Sequence, residues 1–136
     1  MFEINNIPNV EGKWIYQVTI LRRSYVGFPN FNNLITTSPT ICNMTQKDNF
    51  VILEIPPDDT RPAKGQLVGT ISSVRNLNNE ILFYKLTFSD YDDNGVYTLT
   101  NDGENWSGTY TEAGFTGGSQ QYQTAGIAYL TKYTNN

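Results

Sequence analysis

The chain has 136 residues, of which nine are Lys or Arg, thirteen are Asp or Glu and none is His, so its formal net charge is −4 at pH 7. The absence of His excludes Ser-His-Asp catalysis, Cys-His catalysis and His-ligated zinc. The single cysteine, Cys42, excludes an internal disulfide and a four-cysteine metal site. The acidic balance, with no basic cluster longer than Arg22-Arg23, argues against nucleic acid as a partner.

Short runs rich in Thr, Val, Ile, Tyr and Phe recur along the chain, and turn-forming residues separate them. This pattern is typical of an all-β sandwich or barrel, and no window shows helical periodicity. The predicted strands, in chain order, are Lys13–Arg22, Leu34–Thr45, Phe50–Ile55, Gly65–Val74, Ile81–Ser89, Val96–Thr100, Asn105–Thr111 and Gln123–Tyr133. Pro39 interrupts the second run, which we expect to be an edge, bulged or broken strand.

The connection between the fifth and sixth runs is Asp92-Asp93-Asn94-Gly95, which predicts a tight hairpin with Gly95 at positive φ. Together with Asp90 it matches the first half of a calcium-binding EF-hand loop. The twelfth position of that loop should be a bidentate Glu, and here it is Asn101. We therefore predict a turn, with no metal and no cofactor.

The later connections are too short for crossover helices, so neighbouring strands should pair antiparallel. Eight such strands in one domain, residues 1–136, predict an up-and-down barrel, with a two-layer β-sandwich as the alternative. The last four strands read as a simple meander, which favours the barrel.

Gly12-Lys13-Trp14, at the head of the first strand, resembles the Gly-x-Trp signature of the calycins, the superfamily of lipocalins, fatty-acid-binding proteins and avidins. The eight-strand layout and the late Trp-Ser-Gly-Thr-Tyr run also resemble avidin. The resemblance implies a barrel whose Trp plugs one end and whose interior holds a small ligand. Two avidin positions that contact biotin correspond here to Tyr16 and Ile20, so a biotin function is not implied.

Alternation places several aromatic side chains on strand faces that would turn inward together if the barrel closes. The residues predicted to bind a ligand there are Tyr16, Tyr84, Tyr97, Trp106, Tyr110 and Tyr129. Buried phenols need hydrogen-bond partners, and a hollow interior with water or a ligand would provide them. The alternative is that the tyrosine hydroxyls reach the barrel ends or the outer surface. Gly69 and Gly108, within strands, indicate either bends needed for closure or space beside a ligand.

The leading hypothesis is therefore a non-enzymatic protein that binds a small apolar or aromatic ligand inside the barrel. A second hypothesis is a filled module that contacts another protein or a second copy of itself, because the predicted strand Ile81–Ser89 is apolar on both faces. A third is a lectin-like binder in which Trp106 and Tyr110 stack on sugar rings. A fourth is an isomerase or lyase that uses Glu54 and a tyrosine. It requires Glu54 and Lys85 to meet inside the barrel, and the simpler alternative is that both face solvent.

The N-terminal residues lack the basic and apolar segments of a secretory signal peptide, and no stretch is apolar over the length that a membrane helix requires. The unpaired cysteine is typical of a reducing compartment. We therefore expect a cytoplasmic protein with no membrane partner, or a secreted one if a leader has been removed.

Overall fold

The computed structural model describes residues 7–25, 35–57, 64–90, 94–115 and 121–134, and these form nine β-strands. The strands are β1 (Gly12–Tyr25), β2 (Ile35–Thr36), β3 (Thr40–Lys47), β4 (Phe50–Ile55), β5 (Gly65–Arg75), β6 (Ile81–Asp90), β7 (Asn94–Asp102), β8 (Asn105–Phe115) and β9 (Gln121–Lys132). Within these ranges no helix has the length and apolar character needed to cross a lipid bilayer.

The strands form one sheet that closes on itself. Each strand from β3 to β8 pairs antiparallel with the next one along the chain. The barrel closes through β1, which pairs with β3 over its first part and with β9 along most of its length. The two-residue β2 is an addition to the later part of β1. The prediction of an eight-stranded, up-and-down antiparallel barrel is confirmed, and the sandwich alternative is wrong.

The predicted second strand is broken, as its proline indicated. Its two parts, β2 and β3, flank Ser38-Pro39, where proline has no N–H to donate to a neighbouring strand. Just before the break, the Thr37 amide still donates to the Val18 carbonyl at 2.9 Å. The other seven predicted strands correspond to β1 and β4–β9, and several of them extend beyond the predicted ends.

The two ends of the barrel differ in composition. At the Trp14 end, where β1 begins, Trp14 lies opposite Lys132 of β9, and at the Tyr122 end, where β1 finishes, Tyr25 lies opposite Tyr122.

The largest fully buried side chains of the interior are Phe88, Met44, Leu53, Leu67, Ile71, Leu86, Leu99, Leu130, Val51 and Cys42. Each large apolar side chain removed from water contributes roughly 1.5–3 kcal/mol, so this packed core accounts for much of the stability.

The N-terminal segment covers the Trp14 end. Trp14, 2% exposed, donates from its indole Nε1 to the Val10 carbonyl at 2.8 Å. Gln46 accepts from the Val10 amide at 2.8 Å and donates to the Pro8 carbonyl at 3.1 Å. The indole and the amide therefore fix the segment with their polar groups paired.

Three inward-facing glycines allow neighbouring strands to approach closely. A Cβ atom at Gly69 would overlap the Thr87 carbonyl oxygen, and one at Gly108 would overlap that of Thr98. At Gly126 the overlap would be with the backbone of β1. For Gly69 and Gly108 this supports the explanation by strand closure and not the one by space beside a ligand.

Gly95 does not occupy the predicted turn. It lies buried in β7, where it follows Asn94, and its φ is not positive. A Cβ at this position would lie 3.2 Å from Tyr110 Cε1 and 3.5 Å from Asp90 Cβ. The prediction of positive φ was therefore wrong, and residues 91–93 of the predicted hairpin lie outside the described ranges.

Candidate functional site

A β-bulge in β1 turns a charged side chain into the barrel. Ile20 lies opposite Gly126 and Arg22 lies opposite Ala125, so Leu21 is an extra residue between them. Leu21 and Arg22 are both exposed, and Arg23 then lies opposite the buried Thr124 on the inner face. Without the bulge, alternation would place Arg22 inside, since bulges change which side chains face each side.

Three tyrosines form a cluster in the middle of the interior. The hydroxyls of Tyr16 and Tyr97 are 2.7 Å apart and share a hydrogen bond. Their rings meet edge to face at 6.2 Å between centroids, and the Tyr97 ring stacks on Tyr110 at 4.6 Å. The three residues are 9%, 4% and 6% exposed, respectively. Arrangements of this kind stabilise aromatic pairs beyond the effect of area burial alone.

The Tyr97 hydroxyl lies in an environment that disfavours its ionised form. Burial raises the pKa of this phenol above its ordinary value, and the neighbouring Tyr16 hydroxyl raises it further. The carboxylates of Asp90 and Glu112 act in the same direction. The Tyr97 phenol is therefore a neutral hydrogen-bonding group at physiological pH and not a base.

Next to the cluster, toward the Tyr122 end, a carboxylate and an arginine are held by aromatic and hydroxyl groups. Glu112 accepts hydrogen bonds from the hydroxyls of Tyr110 and Tyr122, the latter at 2.6 Å. The Arg23 guanidinium lies 5.5 Å from the Tyr122 ring centroid, and its Nε donates to Thr124 Oγ1 at 3.0 Å. The ring and the hydroxyl therefore orient the plane of the guanidinium.

The inner face at this end is polar and keeps part of its surface accessible. Asp90, Glu112, Tyr122 and Arg23 face the interior, yet all four are only half-buried. An arginine carries five N–H donors, and within the described residues only the Nε–H of Arg23 is used. We call these four residues, together with Tyr16, Tyr97 and Tyr110, the tyrosine site. Chemically, it offers aromatic surface, phenol groups and an oriented guanidinium.

The predicted ligand-binding residues do not all come together. Tyr16, Tyr97 and Tyr110 meet in the tyrosine site, as described. Tyr84 and Trp106 line a separate cleft at the Trp14 end. Tyr129 lies on the outer face, 38% exposed, so the expectation that it turns inward was wrong. Between the inward Tyr122 and the buried Leu130, the inward positions of β9 are the smaller Thr124, Gly126 and Ala128.

The buried phenols find partners within the protein itself. Tyr16 and Tyr97 bond to each other, and Tyr110 bonds to Glu112. The argument that these hydroxyls need water or a ligand is therefore not supported. Trp106 and Tyr110 are both buried and lie in different parts of the interior. They therefore do not form the pair of rings that the lectin-like hypothesis needs for stacking on a sugar.

Glu54 and Lys85 do not meet inside the barrel. Glu54 lies between the buried Leu53 and Ile55, faces outward and pairs with Lys64. Lys85 precedes the buried Leu86 and also faces outward. The alternative in which the two charges meet inside is therefore wrong, and the isomerase or lyase hypothesis loses the carboxylate on which it depended.

The tyrosine site includes polar residues that the strand predictions missed. Arg23, Glu112 and Tyr122 each lie one residue beyond a predicted strand end. The inward position of Glu112 could have been predicted, because it continues the alternation of Trp106, Gly108 and Tyr110 by one step. Arg23 had no such signal, since the bulge depends on pairing with β9.

No group of three or more Cys, Asp or Glu side chains within the described ranges is arranged to hold a metal ion. The first and twelfth positions of the calcium-loop half-motif, Asp90 and Asn101, lie at opposite ends of the barrel, because β7 separates them. The Asn101 Oδ1 accepts instead from the Tyr84 amide at 2.7 Å.

Comparisons with protein-family models, with curated proteins and with solved structures found no match. The closed eight-stranded barrel, with Trp14 buried at one end, is compatible with a calycin-like fold.

Proposed function

We propose that this protein is a non-enzymatic binder of a small molecule, and that the ligand enters the barrel from the Tyr122 end and occupies the tyrosine site. The observation that carries the proposal is the half-buried state of four inward-facing polar side chains at that end. An inward-facing side chain keeps accessible surface only where the interior is open to solvent. The interior of the opposite half is packed with apolar side chains, and the cleft at the Trp14 end lies between the N-terminal segment and the strand ends.

The chemistry of the site favours a planar or apolar ligand with at least one hydrogen-bond acceptor. The half-buried Tyr122 ring supplies accessible aromatic surface, and the oriented Arg23 guanidinium has donors that the described residues do not use. Both oxygens of Glu112 already accept phenol hydrogens. An acceptor such as a carbonyl or carboxylate therefore complements the groups that remain, and arginine binds carboxylates through two parallel hydrogen bonds.

A thermal-shift screen tests the proposal, because a ligand that binds only the folded state raises the melting temperature as its concentration increases. The panel should pair planar aromatic carboxylates and ketones with their alcohol counterparts and with aliphatic compounds. We expect a concentration-dependent rise for planar compounds that carry an acceptor. If no compound of the panel raises the melting temperature, the proposal is wrong.

The chain offers a matched pair of variants for locating the ligand. Arg23→Met removes the inward guanidinium and keeps a flexible apolar side chain, whereas Arg22→Met changes the exposed neighbour on the outer face. We expect Arg23→Met to weaken binding about tenfold or more, as loss of a charged hydrogen bond does, and Arg22→Met to leave it unchanged. Equal affinities for the two variants would place the ligand elsewhere.

A second candidate function is self-association through the outer face. Phe50, 63% exposed, and Ile52 lie on the outer face of β4, and Ile52 is opposite Val68, which is 44% exposed. Exposed apolar patches often mark contact surfaces, and a second copy would cover this one. Light scattering after size-exclusion chromatography should then show a dimer that Phe50→Ser dissociates, and a strict monomer at high concentration would rule it out.

A further inference from the structure

The cleft at the Trp14 end is a second site, independent of the tyrosine site. It has a volume of about 370 Å³ and lies between the N-terminal segment, β6, the β7–β8 turn and the end of β9. The residues used in the argument that follows are Trp14, Tyr84, Asn101, Glu104, Trp106 and Lys132. The volume falls within the range of small-ligand pockets, roughly 300–1,000 Å³. We call it the Trp cleft.

The two tryptophans of the Trp cleft differ in their hydrogen bonding. The Trp14 indole donates to the Val10 carbonyl, and Lys132 Nζ lies 4.9 Å from the centre of its ring. Trp106 is 4% exposed, and no group within the described residues accepts the hydrogen of its Nε1. A buried N–H without an acceptor costs about 1–3 kcal/mol, so nearly all buried indoles have one. Trp106 therefore offers a donor that a ligand can use.

The other groups of the Trp cleft indicate a neutral ligand with several hydroxyls. Glu104 and Lys132 bring opposite charges, which suits a ligand without net charge. The Asn101 oxygen accepts from the Tyr84 amide, and among the described residues no group accepts from its two N–H donors, while Glu104 is exposed and can accept. The half-buried Tyr84 ring adds apolar surface. A sugar ring combines an apolar face with hydroxyls that both donate and accept.

We propose that the Trp cleft binds a neutral monosaccharide, with a sugar hydroxyl as the acceptor for Trp106 Nε1–H. This site differs from the one in the lectin-like hypothesis, because Trp106 contributes a hydrogen bond through its edge and not a stacking surface, and Tyr110 takes no part. Binding here does not depend on the tyrosine site, since the two sites lie in opposite halves of the barrel.

The test is a titration of the ¹⁵N-labelled protein with glucose, galactose, mannose and N-acetylglucosamine, followed through the indole N–H signals. The chain has two tryptophans, so two signals are expected, and Trp106→Phe identifies one by its loss. We expect at least one sugar to move the Trp106 signal in a saturable way and to leave the Trp14 signal, already hydrogen-bonded, nearly unchanged. Cyclohexanol, a ring of similar size with one hydroxyl, is the control compound and should have no effect.

Trp106→Phe keeps an aromatic ring and removes the donor, so we expect it to weaken sugar binding about tenfold. Tyr97→Phe, in the tyrosine site, should leave sugar binding unchanged. The proposal is overturned if every sugar leaves the Trp106 signal in place, or if cyclohexanol moves it as far as the sugars do. If Trp106→Phe does not fold, Trp14→Phe assigns the two signals instead, and the wild-type titration still decides the proposal.

Discussion

The two halves of the barrel use the same strands for different purposes. Toward the Trp14 end the inward side chains below the Trp cleft are apolar and fully buried, with Leu99 and Leu86 1% and 0% exposed. Toward the Tyr122 end the same strands carry buried tyrosines and, beyond them, a half-buried tyrosine, two carboxylates and an arginine. One half supplies the free energy of folding, and the other can therefore carry polar groups that a packed core would not tolerate.

The difference shows how a small barrel accommodates a site without losing its core. Polar side chains in the Tyr122 half are paired with one another, as Glu112 is with Tyr110 and Tyr122, which limits the cost of partial burial. Variants in the packed half should mainly change stability. Variants in the polar half should mainly change binding.

The largest loss of stability is expected where two strands approach most closely. Gly108→Ala places a methyl group against the Thr98 carbonyl, and we expect the free energy of unfolding to fall by about 4 kcal/mol. Gly103→Ala is the control, because its site is open and only its φ of +64° opposes a side chain, which costs about 1 kcal/mol. Equal losses in urea denaturation would contradict the close approach of β7 and β8.

A cavity in the packed half should cost nearly as much. Leu99→Ala removes a fully buried side chain, and we expect a loss of about 3 kcal/mol. Val96→Ala changes an outward residue on the same strand, 45% exposed, and should cost about 0.5 kcal/mol or less. If urea denaturation gives similar values for both, the interior of this half is not closely packed.

Because of Tyr97, the free energy of unfolding should decrease at alkaline pH. Burial raises the pKa of its phenol in the folded state, while in the unfolded state the pKa is near 10. Above about pH 10 the unfolded state therefore loses a proton that the folded state keeps, and stability falls by up to about 1.4 kcal/mol per pH unit. Below that pH the contribution is fully present.

Tyr97→Phe should lower stability at neutral pH by about 1 kcal/mol, through loss of the bond to Tyr16, and should make the alkaline decline less steep. Tyr129→Phe changes an exposed phenol on the outer face and should keep the wild-type slope. The measurement is urea denaturation at a series of pH values, and parallel curves for Tyr97→Phe and the wild type would contradict the buried, neutral phenol.

The smallest effect on stability is expected at Glu112. Glu112→Gln keeps the shape of the side chain and allows one phenol to donate to it while the other accepts, so we expect a loss of about 0.5 kcal/mol. Thermal unfolding measures it, with the outward Glu54→Gln as control. A loss as large as that of Leu99→Ala would show that the polar half also determines stability.

The strand pattern was enough to predict the barrel, because alternation and short turns leave few other arrangements. Trp14, Tyr16 and Val18 are buried as their spacing indicated, and Pro39 broke its strand. The face of β9 could not be predicted in this way. Its large Ile127 and Tyr129 face outward and the small Gly126 and Ala128 face inward, where β9 approaches β1 so closely that a Cβ at Gly126 would overlap the Thr19 carbonyl oxygen.

The tyrosine site was predicted in its aromatic part and missed in its charged part. Tyr16, Tyr97 and Tyr110 lie within the predicted strands, where alternation assigns each side chain to a face. Arg23, Glu112 and Tyr122 lie one residue beyond the predicted strand ends. The bulge at Leu21 contains neither Gly nor Pro and is set by pairing between β1 and β9. Information of this kind lies in the tertiary structure and not in local sequence.

The most direct measurement is NMR with tyrosine-selective ring labelling, during titration with a compound from the thermal-shift screen. Ligand binding at the Tyr122 end predicts saturable shifts of the Tyr97, Tyr110 and Tyr122 ring signals, assigned with single Tyr→Phe variants, while Tyr129 on the outer wall stays unchanged. Shifts confined to Tyr129, with the three inner rings unaffected, would contradict binding inside the barrel.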